Sequence, residues 1–144
     1  MRRIHAGNTA GEPGAFTGGF NALFNQRDLE AAKRYWSPNY IQHSAHIPPG
    51  RDGLFNLVKG LPANAKYEHG VIMAEGDYVM AHGRYSNPGG SAIVVVDIMR
   101  INDGIFQEHW DVIQDEVTKE QSKSGLPMFG SQFPNERLAG MASR

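Results

Sequence analysis

Six histidines and no cysteine set the chemistry open to this 144-residue chain. Without thiolates there is no disulfide framework, cysteine nucleophile, iron–sulfur cluster or thiolate zinc site. Acid, base and ligand roles fall to His, Asp, Glu, Tyr, Ser or Lys. Asp97 is the anomaly among them, because it interrupts Ile93-Val94-Val95-Val96-Asp97-Ile98-Met99, a run that is apolar on both faces. A bare carboxylate there is costly, so Asp97 is paired, hydrogen-bonded or protonated. His82 and His109 lie in extended-pattern runs before and after it, and in an antiparallel meander they can flank Asp97 if their faces match. A carboxyl group beside imidazoles is what general acid/base catalysis near neutral pH requires. The plainer alternative is a satisfied structural carboxylate with packed or surface histidines.

Helices must precede that meander. Phe20, Leu23 and Phe24 fall at helical spacing, and a second run, Leu29, Ala32 and Tyr35 or Trp36, restarts after Asp28, a plausible N-cap. Ser37-Pro38 ends it, since a residue before proline is pushed out of the α region. Tyr40 to His43 reads as a short extended piece, and Leu54, Leu57 and Val58 mark a short third helix closing at Gly60. From Lys66 onward the pattern changes to Val-, Ile- and Tyr-rich runs. Tight-turn dipeptides divide them into strands at 67–75, 78–86, 91–102 and 105–114. Helices first and strands afterwards imply an α+β domain with helices on one face of an antiparallel sheet.

Alternation along these strands groups Ile93, Val95, Asp97, Met99 and Ile101 on one face of the third, and Tyr78, Met80, His82 and Arg84 on one face of the second. On the fourth, His109 and Asp111 are in phase, with Phe106, Glu108 and Trp110 opposite. Residues 1–18, with four of the 17 glycines and little apolar periodicity, are expected to form a flexible N-terminal arm. Residues 19–130 form the single domain and 131–144 a C-terminal tail, with Met128, Phe129 and Phe133 expected to pack on the body or on a partner chain.

A formal net charge of −1 gives no basic footprint for nucleic acid or an anionic membrane. No apolar run approaches the ~20 residues that cross a bilayer, so the expected address is the cytoplasm. A metal site is a rival reading, since His43 and His46 stand three apart with His82 and Asp97 to complete a set, but loop spacing lacks the geometry of better-defined sites. No metal and no cofactor are expected.

The segments Phe24-Asn25-Gln26-Arg27-Asp28-Leu29-Glu30-Ala31-Ala32, Tyr40-Ile41-Gln42-His43, Gly50-Arg51-Asp52-Gly53, Val96-Asp97-Ile98-Met99-Arg100-Ile101-Asn102-Asp103-Gly104 and Glu108-His109-Trp110-Asp111-Val112-Ile113-Gln114 resemble, in order and spacing, the SnoaL-like polyketide cyclase family. That family lies within the nuclear transport factor 2-like, or ketosteroid isomerase-like, superfamily. The resemblance implies a cystatin-like cone, a curved antiparallel sheet wrapped round N-terminal helices, with a pocket between the layers and a homodimer through the outer sheet face. It further implies that Asp97 lines the pocket. In the cyclases the matching aspartate is the acid/base of an intramolecular aldol condensation, and in the related isomerases it is an oxyanion-hole acid kept neutral by an apolar site. His43 falls where those isomerases carry their base carboxylate.

The expectation is therefore an acid/base catalyst of the cyclisation or isomerisation type, with Asp97 and His43 as the catalytic pair. A small hydrophobic or ring-bearing carbonyl ligand would meet His82, His109, Asp111, Trp36, Tyr40, Met80, Met99 and Phe55. A water-activating hydrolase resembling limonene epoxide hydrolase and a non-catalytic dimeric ligand-binding protein are the alternatives on the same fold.

Overall fold

The meander supplies most of one five-stranded sheet, and the earlier part of the chain covers its inner face. A computed structural model describes residues 12–87 and 90–130. In chain order it contains α1 (Glu12–Phe20), a π-helical turn (Asn21–Asn25), α2 (Leu29–Lys33), β1 (Trp36–Gln42), α3 (Gly50–Lys59), β2 (Lys66–Glu75), β3 (Tyr78–Ser86), β4 (Ala92–Asn102) and β5 (Ile105–Asp115). The sheet order is β1-β5-β4-β3-β2, so β4 is central and, among the described residues, β1 and β2 are the edges. This is the expected α+β cone, left open rather than closed into a barrel. Among the described residues no helix is long and apolar enough to cross a membrane.

Three expectations need correction. The sheet is mixed, because Tyr40–Gln42 is the end of a full strand that pairs parallel to β5, with His43 just beyond it. Trp36, placed at a helix end, opens that strand, which is irregular between Trp36 and Ile41; Pro38, which has no N–H for a ladder, is tolerated there at the edge. The glycine-rich lead-in is helical from Glu12, with Phe16 fully buried. Its glycines serve close approach: a Cβ on Gly19 would lie 2.7 Å from the Phe106 ring, and one on Gly18 2.7 Å from the Tyr35 hydroxyl. Residues 1–11 and the tail 131–144, including Phe133, lie outside the described residues.

The core joins the helices to the inner sheet face. Phe16 stacks on Phe20 at 4.0 Å between centroids, and Trp36 meets Phe106 edge-on at 4.6 Å. Asp28 caps α2, its Oδ1 accepting from the Ala31 N–H at 3.0 Å. The β4–β5 turn is built on Asp103 and Gly104, both at positive φ (51° and 78°), as a two-residue hairpin of this hand requires.

Just beyond that turn the ladder slips. Ile101 pairs with Phe106 but Arg100 pairs with Glu108, so Gln107 is an extra residue on β5. A bulge of this kind shifts the side-chain phase by one. Phe106 and His109 both point inward as a result, where strict alternation had set them on opposite faces.

Candidate active site

Asp97 sits mid-way along the central strand, on the inner face, and is 2% exposed. Register sets its neighbours: Ala81 across on β3 and Asp111 across on β5. Both carboxylate oxygens are engaged. His109 Nε2 lies 2.7 Å from Oδ1, and the Tyr85 hydroxyl donates to Oδ2 at 2.8 Å. Tyr85 pairs with Ile93, four residues along β4, so its ring leans back along the sheet to reach Asp97. The methyl group of Ala81 and the bare backbone of Gly83 give it room. Tyr67 packs against Tyr85 at 4.7 Å between centroids, and a Cβ on Gly83 would lie 2.5 Å from the Tyr67 ring.

The chain of contacts continues to the edge strand. His109 Nδ1 is 2.6 Å from Gln42 Oε1, which also accepts from the Ser44 backbone N–H at 2.9 Å. Gln42 Nε2 donates to the Tyr40 hydroxyl at 3.0 Å. Parallel pairing of Gln42 with His109 brings these groups together, supported by the His43 N–H donating to the His109 carbonyl.

Burial pushes the Tyr85 phenol well above its ordinary value, reinforced by the Asp97 charge. Burial likewise raises Tyr40, opposed by the Trp36 indole and the Gln42 amide. Both tyrosines therefore keep their protons.

These groups form the floor of a cavity of about 280 Å³ whose walls are Phe20, Phe24, Trp36, Ile47, Leu54, Leu57, Ile93, Val95 and Ile113. His46, Lys66, Asn87 and Ser91, all exposed, stand at its mouth. Polar groups converging in an otherwise apolar concavity are the usual form of a small-molecule site. The Asp111 side chain borders the cavity, and no hydrogen bond or ion pair holds its carboxylate among the described residues. Asp97, His109 and Asp111 also present ligand atoms within 4.8 Å of one another, which makes them the set among the described residues that is spaced to hold a cation.

The structure divides the sequence-based candidates. Asp97, His109, Asp111, Trp36 and Tyr40 line the cavity. Met99 and Phe55 are buried in the core behind it. His82 pairs with Val96, so it lies on the outer face, where its ring meets Phe129. Met80 is on that face too and 41% exposed.

His43 is also outside, its side chain 42% exposed. Tyr40 and Gln42 point inward on β1, so strand alternation turns His43 outward. There it stacks on Trp110 at 4.8 Å and meets Glu108 Oε2 at 2.8 Å. Burial alone would raise Glu108, but hydrogen bonds from His43 and Arg100 outweigh it and hold the carboxyl below its ordinary value. The metal set of His43, His46, His82 and Asp97 is accordingly dispersed. Sequence reading passed over Gln42, Ser44 and Tyr85. The row Val79, Ala81, Gly83, Tyr85, small in its middle, was the available signal for the last.

Comparison with known proteins agrees with this architecture. No curated protein matches the sequence significantly. Among solved structures, a candidate ketosteroid isomerase from Kribbella flavida superposes with a TM-score of 0.67 at 14% identity, covering 87% of this chain and 93% of that one. TsrD from Streptomyces laurentii gives 0.59 at 19% identity, covering 73% and 89%. IdmH from Streptomyces antibioticus, a candidate polyketide cyclase, gives 0.57 at 21% identity, covering 72% and 91%. Such identities establish a shared fold. The family model for the SnoaL-like domain matches residues 18–109, and the chain belongs to that family.

Proposed function

We propose that the protein is an acid/base catalyst that moves a proton at the carbon next to a carbonyl group, in a small hydrophobic or ring-bearing compound held in the cavity. Aldol-type cyclisation and isomerisation both begin with that step. The observation that carries this reading is the buried Asp97–His109 pair on the floor of an apolar cavity, with the Asp111 carboxylate free beside it. Asp111 accepts the α-proton: the C–H bond breaks, its electrons form the enolate, and negative charge moves to the carbonyl oxygen. Asp97 and His109 hold a further proton in a hydrogen-bonded pair within the same cavity. His43, on the outer face, takes no part. Positioned acid/base groups of this kind typically contribute 10²–10⁴-fold.

A homodimer through the outer sheet face belongs to the same proposal. Val71, Met73, Met80 and Val112 are exposed there, and light scattering coupled to size exclusion should give twice the chain mass.

The test is solvent deuterium exchange. A panel of cyclic ketones and 1,3-diketones is incubated with the protein in D2O and followed by NMR. Wild type should accelerate exchange at the α-carbon of those that bind, and Asp97→Asn and Asp111→Asn should each reduce it at least ~100-fold. Binding without accelerated exchange would make the protein a ligand-binding module instead.

A further inference from the structure

We propose that the Ser44 backbone amide, acting through Gln42, fixes the direction of the hydrogen bonds that run from His109 to Tyr40, making Gln42 a positioning residue and leaving the Tyr40 O–H as the donor for a ligand oxygen. The orientation of a glutamine amide is ordinarily ambiguous, as is the tautomer of a histidine. Here one group removes both ambiguities. The Ser44 N–H, 2.9 Å from the Gln42 side chain, can only donate, so the atom it meets is the amide oxygen. That oxygen lies 2.6 Å from His109 Nδ1, so Nδ1 must carry a hydrogen. The proton that can be exchanged is therefore the one between His109 Nε2 and Asp97 Oδ1, because the Tyr85 hydroxyl donates to the other carboxylate oxygen.

The same constraint acts at the other end of the amide. With Oε1 turned to Ser44 and His109, the NH₂ faces Tyr40 and donates to its phenol oxygen at 3.0 Å. Tyr40 then accepts from Gln42 and keeps its own hydrogen free. No acceptor among the described residues takes that hydrogen, and Tyr40 borders the cavity. Asp111 is close enough for its charge to act on Tyr40. Tyr40 and Asp111 line the same cavity, so a ligand whose carbonyl oxygen accepts from Tyr40 and whose α-carbon faces Asp111 would have its enolate oxygen met by a neutral O–H donor.

The role in turnover rests on the acid/base reading, whereas the hydrogen-bond directions can be tested without any substrate. Imidazole ¹⁵N NMR of the full chain should show His109 Nδ1 protonated in wild type. Gln42→Glu retains an oxygen acceptor and should preserve that signature. Gln42→Leu removes it and should shift His109 toward the Nε2–H tautomer, with its proton donated to Asp97. A bare Nδ1 in wild type overturns the proposal, and so does an unchanged tautomer in a folded Gln42→Leu protein. For Tyr40 the probe is 2-naphthol, an aromatic hydroxyl compound. Tyr40→Phe should weaken its binding roughly tenfold or more. Equal affinity, or no binding to wild type, removes Tyr40 from the donor role. Absent deuterium exchange with the expected tautomer would sink the acid/base reading alone.

Discussion

Replacing Asp97 separates a satisfied network from a merely crowded one. Asp97→Ala removes two buried partners at once, the acceptor of the Tyr85 hydroxyl and the oxygen that shares a proton with His109 Nε2, which now sit 2.8 and 2.7 Å away. Each buried polar group left without a partner costs about 1–3 kcal/mol, so the loss should be about 2–6 kcal/mol. Water entering from the cavity would bring it toward the lower figure. Asp97→Asn is nearly isosteric and can rebuild both contacts. Its Oδ1 accepts from Tyr85, and its NH₂ donates to an unprotonated Nε2, while Nδ1–H still serves Gln42. The asparagine protein should therefore stay within about 1 kcal/mol of wild type. Urea unfolding followed by tyrosine and tryptophan fluorescence measures both. If the two variants lose equal stability, the donor and acceptor directions assigned to Tyr85 and His109 are wrong. If neither loses any, Asp97 is not held by these partners.

Gly83→Ala should destabilise by about 1–3 kcal/mol, because its Cβ would lie 2.5 Å from the Tyr67 ring that backs Tyr85; thermal unfolding tests this, and an unchanged midpoint would deny the close approach. Arg84 donates to Glu116 through Nε at 2.8 Å and through Nη2 at 2.9 Å, and this holds the Glu116 carboxyl below its ordinary value against a smaller opposing effect of burial. A carboxyl lowered in the folded state contributes stability that is present above its unfolded pKa, near 4.3, and is lost as pH falls through the folded value. Arg84→Met should therefore flatten the acid limb of stability between about pH 5 and 3, by on the order of 1 kcal/mol for a solvent-accessible, part-buried pair; an unaltered limb in urea titrations at stepped pH would refute this. Asp28→Ala should cost about 0.5–2 kcal/mol through loss of the cap on a helix of only five residues, read from the shift of the urea midpoint.

Strand positions were legible because their punctuation is chemical. Gly76-Asp77 and Asp103-Gly104 are among the few dipeptide types that take up the positive φ of a tight turn at little cost, and the observed β3 and β5 begin directly after them. Asp97 was legible for a similar reason, since a carboxylate within an apolar run has to be answered by something. Which face of β3 answers it was not legible. Alternation groups Tyr78, Met80, His82 and Arg84 together, and Val79, Ala81, Gly83 and Tyr85 together, but it does not say which group meets the core. That is decided by the pairing of Ala81 with Asp97, a contact between strands. The fully apolar small residues belong inside, and His82 went outside with Arg84. Glycines misled in the other direction. Gly18 and Gly19 have the composition of a linker, yet they mark where α1 lies flat on Tyr35 and Phe106, a fact of packing that no local pattern carries.

The histidines show most clearly where local reading stops. His43 directly follows β1, whose last residue Gln42 lies opposite His109, so the two histidines stand within one residue of each other in register and position along the chain hardly distinguishes their claims. Phase distinguishes them. On β1, Tyr40 and Gln42 face the cavity and His43 is thereby excluded. On β5, the extra residue Gln107 lets Phe106 enter the core while His109 and Asp111 still reach the cavity floor. Without that bulge, burying Phe106 would turn both titratable groups to the outer face. The site therefore depends on an irregularity in one ladder and on a parallel pairing between segments 67 residues apart. Such non-local features decide which imidazole meets Asp97, and residue type alone could only narrow the choice.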